Sequence, residues 1–137
     1  MADPRIEKLA QVLVHYSLGL KAGQQIQIRT HPIAEELTLA VYEQVIKAGA
    51  FPFVRVNLPG LDEIFYKYAN DAQLDYVSPI SKLVNETFDA LMSIWTEHNT
   101  RELSGIDPSR MSRTSKTYAP LSKMFFDRAA RGEAHWV

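Results

Sequence analysis

The chain contains no cysteine. That excludes disulfide staples, thiolate metal sites and a cysteine nucleophile. Glycine is scarce, with six in 137 residues, and none falls in a Gly-x-Gly-x-x-Gly or P-loop arrangement. The first strand leads into Thr30-His31-Pro32 instead, so a dinucleotide cradle is not expected there. The nucleophile elbow Gly-x-Ser-x-Gly and the His-Glu-x-x-His run are also missing. No apolar run approaches the roughly 20 residues of a membrane span, and Met1-Ala2-Asp3-Pro4 lacks the basic and apolar regions of a signal peptide. A formal charge of −1 gives no general pull toward nucleic acid or acidic lipid. The expectation is a soluble cytoplasmic domain with neither nucleic acid nor membrane as partner.

What is present fits one compact domain over residues 1–137. Hydrophobic content of 46% and charged content of 23% are ordinary globular values, and the length suffices for a sizeable core. Prolines mark the helix entries at Asp3-Pro4, His31-Pro32, Ser78-Pro79 and Asp107-Pro108, because the first helical position needs no N–H donor. After Asp3, Ile6, Leu9, Leu13, Tyr16 and Leu20 fall on one helical face, and Gly19 and Gly23 end the helix. Gln25–Arg29 alternates polar and apolar, as a strand does. A helix is expected from Pro32 to about Ala48, with Ile33, Leu37, Ala40, Val41 and Val45 inward and Gly49 as its stop. Phe51–Asn57 reads as a second strand, with Pro52 tolerable near its start.

Short helices follow over Gly60–Ala69, from Asn70 through Tyr76, and over Pro79–Thr87. Ala90–Trp95 is apolar enough for a strand buried on both faces. Asp107 caps a long final helix that Pro120 is expected to kink or split. That helix closes at Gly132, and Ala134-His135-Trp136-Val137 opens a further strand, short against the usual five to six or so. The order of elements predicts an α/β domain: a mostly parallel sheet flanked by helices, three-layered and Rossmann-like, incomplete at the C-terminus. The chain is therefore expected to be one piece of a larger protein.

In open α/β sheets ligands sit beyond the carboxyl ends of the strands. Here those ends carry His31, Asn57 to Gly60, and Thr96 to Arg101. His31, Asn99, Thr100 and Arg101 are the candidate cleft-lining residues. His31, Glu97 and His98 could together form a metal or acid–base site, although polar loop residues are common at strand ends. Helix N-termini there could also hold a small anion or a peptide.

Charge is uneven: residues 1–100 carry 8 basic and 12 acidic side chains, residues 101–131 carry 7 and 3. Arg110, Arg113, Lys116 and Lys123 recur at near-helical spacing. They could meet phosphates, face an acidic surface of another domain, or simply be solvated. Phe65, Tyr66, Tyr68 and Tyr76 read as packing, with Tyr66 or Tyr68 alternatively lining a peptide cleft. Phe125, Phe126 and Trp136 read as core, or as apolar surface left open.

Four runs carry a resemblance. They are Gly60-Leu61-Asp62-Glu63-Ile64-Phe65-Tyr66, Gln73-Leu74-Asp75-Tyr76-Val77-Ser78-Pro79-Ile80, Asn99-Thr100-Arg101-Glu102-Leu103-Ser104-Gly105-Ile106-Asp107-Pro108, and Ala129-Ala130-Arg131-Gly132-Glu133 with Trp136-Val137. In order along essentially the whole chain, they resemble the N-terminal domain of the thermophilic-type metallo-aminopeptidases, the aminopeptidase T and S family. The resemblance implies a two-domain hydrolase that removes N-terminal residues from peptide substrates. Two divalent ions (zinc, cobalt or manganese), held by Glu, His and Asp of a C-terminal domain, would activate a bridging water. It also implies a homodimer with an enclosed cavity that this domain helps to wall. None of the four histidines matches a family ligand, so no catalytic or metal-binding residue is expected on this chain.

Overall fold

The structure, a computed structural model, describes residues 3–95 and 104–137. Helix α1 (Pro4–Gln11) starts where the Asp3 carboxylate accepts the Arg5 backbone N–H at 2.9 Å, with Pro4 in the first position. The chain widens into a π-helical segment over Val12–Ser17, then enters β1 (Gln25–Thr30). A 3-10 turn at Pro32–Ala34 precedes α2 (Glu35–Lys47), and β2 spans Phe51–Val56. Helices α3 (Leu61–Tyr68), α4 (Asp71–Leu74) and α5 (Pro79–Thr87) follow. Then come β3 (Ala90–Ser93), α6 (Pro108–Ala130) and β4 (His135–Trp136).

The sheet order is β2-β1-β3-β4 and every pairing is parallel. The expected α/β architecture is the one found. From β1 the chain runs outward to β2, then crosses back to lay β3 on the other side of β1. This reversal makes the β1/β3 boundary the topological switch point. Pro52 sits on β2, an edge strand, where its missing N–H costs no ladder bond on the open side. Among the described residues no helix is long and apolar enough to cross a membrane.

One face of the sheet carries the core. Ile26 and Ile28 of β1 and Ala90 and Met92 of β3 cluster with Val41 and Val45 of α2 and with Ala10, Val14 and Leu18. Each fully buried valine, leucine, isoleucine or methionine side chain here contributes about 1.5–3 kcal/mol. Gly49 ends α2 at φ +78°, where an added Cβ would stand 3.1 Å from the Ala22 Cβ.

Several expectations need correction. The buried stripe of the first helix is Ala10, Val14 and Leu18, whereas Leu9 and Tyr16 are exposed, Tyr16 at 87%. The cause is the wide turn: the Leu18 N–H reaches the Leu13 carbonyl, a five-residue step that rotates later side chains away from the 3.6-residue register. On its polar side His15 Nε2 meets Gln44 Oε1 at 2.9 Å, tying that segment to α2. Ile33 is exposed because it lies in the 3-10 turn and not in α2.

Strand β3 ends at Ser93 and buries only Ala90 and Met92; Leu91 and Ser93 are half-open on the other face. Pro120 does not split α6, which is unbroken over 23 residues. Leu121 and Phe125, buried just beyond it, hold the helix in place despite the lost N–H bond.

At the far edge, β4 pairs Ala90 with His135 and Leu91 with Trp136, and the ladder extends through the Val137 N–H to the Leu91 carbonyl at 3.1 Å. Trp136 and Phe126 meet edge to face at 5.4 Å, and both are at least half exposed.

Candidate functional site at the sheet's carboxyl edge

The second face of the sheet is polar where the first is apolar. Alternation along β1 sends Gln27 and Arg29 to this face, and register sets Arg29 opposite Arg55 of β2 and Ser93 of β3. Helices α3, α5 and α6 do not close onto these residues. They leave a cavity of about 680 Å³ lined by Gln27, Arg29, Arg55, Leu91 and Ser93 from the sheet, and by Tyr66, Val84, Tyr118 and Phe125 from the helices. A smaller crevice of about 280 Å³ opens at the switch point, lined by Arg29, Thr30, His31, Arg55, Asn57, Asp62, Tyr66, Ser93, Ile94 and Trp95. The two share Arg29, Arg55, Asp62, Tyr66, Ser93 and Trp95 and form one branched space.

Its walls are fixed by local chemistry. Thr30 Oγ1 and Thr38 Oγ1 lie 2.7 Å apart, and Thr38 Oγ1 donates to the Ala34 carbonyl at 2.8 Å, locking the end of β1 to the start of α2. His31 is buried, with Nδ1 3.2 Å from the Asn57 carbonyl. That contact joins the two loops beyond β1 and β2. Asn57 Nδ2 donates to Asp62 Oδ2 at 3.4 Å, setting the carboxylate in the first turn of α3, where the helix dipole favours it. The helices on the cavity's outer side are tied to one another: Arg110 Nε donates to the Tyr66 carbonyl at 2.6 Å, and its Nη2 donates to the Ala69 carbonyl.

The electrostatics are positive at the centre. Arg29 opens into the space, yet enough protein surrounds it that burial, and then the neighbouring Arg55, lower its pKa from the ordinary value, while Asp62 acts in the opposite sense. Among the described residues no carboxylate lies within ion-pair distance of Arg29 or Arg55. Burial, then the Asp62 charge, pushes the Tyr66 phenol up, so it stays a neutral donor. Gln27 is only 5% exposed, and its amide has no hydrogen-bond partner among the described residues.

Of the sequence candidates, His31 lines the crevice but serves as a loop tie. Asn99, Thr100 and Arg101 lie outside the described residues, as do Glu97 and His98. Tyr66 lines the space and Tyr68 does not. The basic stripe of α6 is largely used internally: Arg113 bridges Asp71 at 2.9 Å and Asp75 at 2.6 Å, and Lys123 pairs with Asp127 at 3.0 Å. Sequence reasoning missed Arg29, Arg55 and Gln27, since only strand register brings them together.

Among the described residues no three His, Asp or Glu side chains stand close enough to hold a metal ion. Arg29 and Arg55 place positive charge in this space and, among the described lining residues, Asp62 is the single carboxylate, which works against a divalent cation there.

Comparison with known proteins agrees with the fold. Wild-type AmpT from Thermus thermophilus is similar at a TM-score of 0.74 and 20% identity, over 96% of this chain and 34% of that one. The chain thus spans about a third of that relative's length, and at this identity the likeness shows the fold. No curated protein matches the sequence. The family model for the thermophilic metalloproteases (M29) matches residues 2–137, and the chain belongs to that family.

Proposed function

We propose that this chain is the N-terminal α/β domain of a metal-dependent aminopeptidase that hydrolyses N-terminal residues from peptides. Its part is to wall the substrate cavity and gate peptide entry. The two divalent ions, zinc, cobalt or manganese, belong to residues outside this chain. The family match over residues 2–137 carries the reading, because it brings a peptidase class to a chain whose described residues have no metal-ligand cluster. The matched third of AmpT is in keeping with a domain of a longer enzyme. A homodimer and a cytoplasmic location belong to the same proposal.

The test is turnover of leucyl and alanyl chromogenic anilides by this chain with added cobalt, zinc or manganese. The expected result is no release above the metal-only blank. Metal-dependent turnover would place the catalytic centre on this chain and overturn the division of labour.

A further inference from the structure

Two arginines are partners across a sheet, and among the described residues no carboxylate forms an ion pair with either. Arg29 and Arg55 are Cα partners in register, so their guanidiniums leave the same face one strand spacing apart. Like charges directly opposite are destabilising. A surface pair of this kind would ordinarily be relieved by a nearby carboxylate. Among the described residues, Asp62 lines the same crevice, influences Arg29 through space and accepts a hydrogen bond from Asn57.

The pair stands at the switch-point crevice, where ligands of open α/β sheets bind. Two residues inward along β1, Gln27, a residue 5% exposed, lines the adjoining cavity, and its amide has no hydrogen-bond partner among the described residues. No buried polar side-chain atom lacks a partner among the described residues, so the Gln27 amide reaches the cavity itself, beside two guanidiniums with no ion pair among the described residues, where a ligand could meet all three.

We propose that Arg29 and Arg55 bind the carboxylate of a short peptide, with Gln27 meeting a peptide amide and Trp95 covering the chain. Charge favours a carboxylate over a phosphate: among the described lining residues, two guanidiniums against Asp62 leave one net positive charge, which one carboxylate balances and a dianion exceeds. Guanidinium forks match a carboxylate with two parallel N–H···O bonds. A peptide is favoured over a bare acid because Trp95, 74% exposed, offers an aromatic wall at the mouth, and because a peptide unit can both donate to and accept from the Gln27 amide. The proposal involves no metal and no bond cleavage, so its fate is separate from that of the aminopeptidase reading.

The experiment is a heteronuclear NMR titration of the chain at low salt. The probes are acetyl-trialanine with a free carboxylate, the same peptide as its C-terminal amide, acetate, and inorganic phosphate. The free-carboxylate peptide should give saturable shifts at the Gln27 side-chain amide and at the Arg29 and Arg55 Nε–H groups. Blocking the carboxylate, or introducing Arg29→Gln or Arg55→Gln, should weaken binding about tenfold or more, the worth of a charge-assisted bond. Arg55→Lys should fall between, keeping the charge and losing the fork.

Thermal melts confirm that each variant is folded; if Arg29→Gln fails, Arg55→Gln and the acid–amide comparison still decide. Equal binding of acid and amide, or unchanged binding by Arg55→Gln, would overturn the site. Phosphate binding as tightly as the peptide acid would overturn the carboxylate assignment, and acetate doing so would overturn the peptide.

Discussion

Arg29 on β1 and Arg55 on β2 are register partners on one face of a parallel sheet, and no carboxylate among the described residues pairs with either. The arrangement works against stability. Arg55→Gln should therefore raise the unfolding free energy, by roughly 0.2–1 kcal/mol, the usual scale of a cross-strand pair. Urea unfolding of the two proteins at low salt checks this, and the gain should shrink as added salt screens the repulsion.

The apolar face should respond in the opposite way. Ile28 is fully buried between the sheet and α2, so Ile28→Ala should cost about 2–5 kcal/mol in chemical denaturation. Phe126, half exposed at the β4 edge, should cost far less when changed to Ala. Similar losses at both positions would mean that the edge is packed as tightly as the core.

Gly49 gives a backbone test. Its φ of +78° and the 3.1 Å approach of an added Cβ to Ala22 Cβ both oppose a side chain. Gly49→Ala should destabilise by about 1–2 kcal/mol from the left-handed conformation alone, with the Ala22 contact adding to it.

Acid should expose the Arg113 bridge. The hydrogen bond from Arg113 holds the Asp75 carboxyl below its ordinary range. A carboxyl lowered in the folded state stabilises fully above its unfolded value and loses that contribution as pH falls through the folded one. The wild type should therefore melt above Asp75→Asn near neutrality, and the gap should close below about pH 4.

How much of this was legible in the sequence varies by element. The prolines and their caps placed the starts of α1, α5 and α6 to the residue, because Asp3, Ser78 and Asp107 each accept a backbone N–H two positions on. The parallel α/β order followed from the alternation of elements. The face of the first helix did not, because a π-turn at Val12–Ser17 changes the period on which the reading relied. Pro120 misled for a different reason: buried neighbours in α6 outweigh one missing bond.

The site was least legible. Gln27 and Arg29 are the polar positions of an alternating strand, and the helices standing off the sheet turn their side into a cavity wall. Arg55 joins them through register, which a single sequence does not encode locally. His31 was found, but as a buried tie between loops, and its companions Asn99, Thr100 and Arg101 lie outside the described residues.

The function proposed above makes this chain the domain of a metallo-aminopeptidase that holds no metal itself. Metal content after equilibrium with zinc or cobalt and exhaustive dialysis tests it most directly. The account predicts metal at the buffer background and an unchanged melting temperature. Stoichiometric zinc or cobalt retained by the chain, with a raised melting temperature that a chelator reverses, would contradict it.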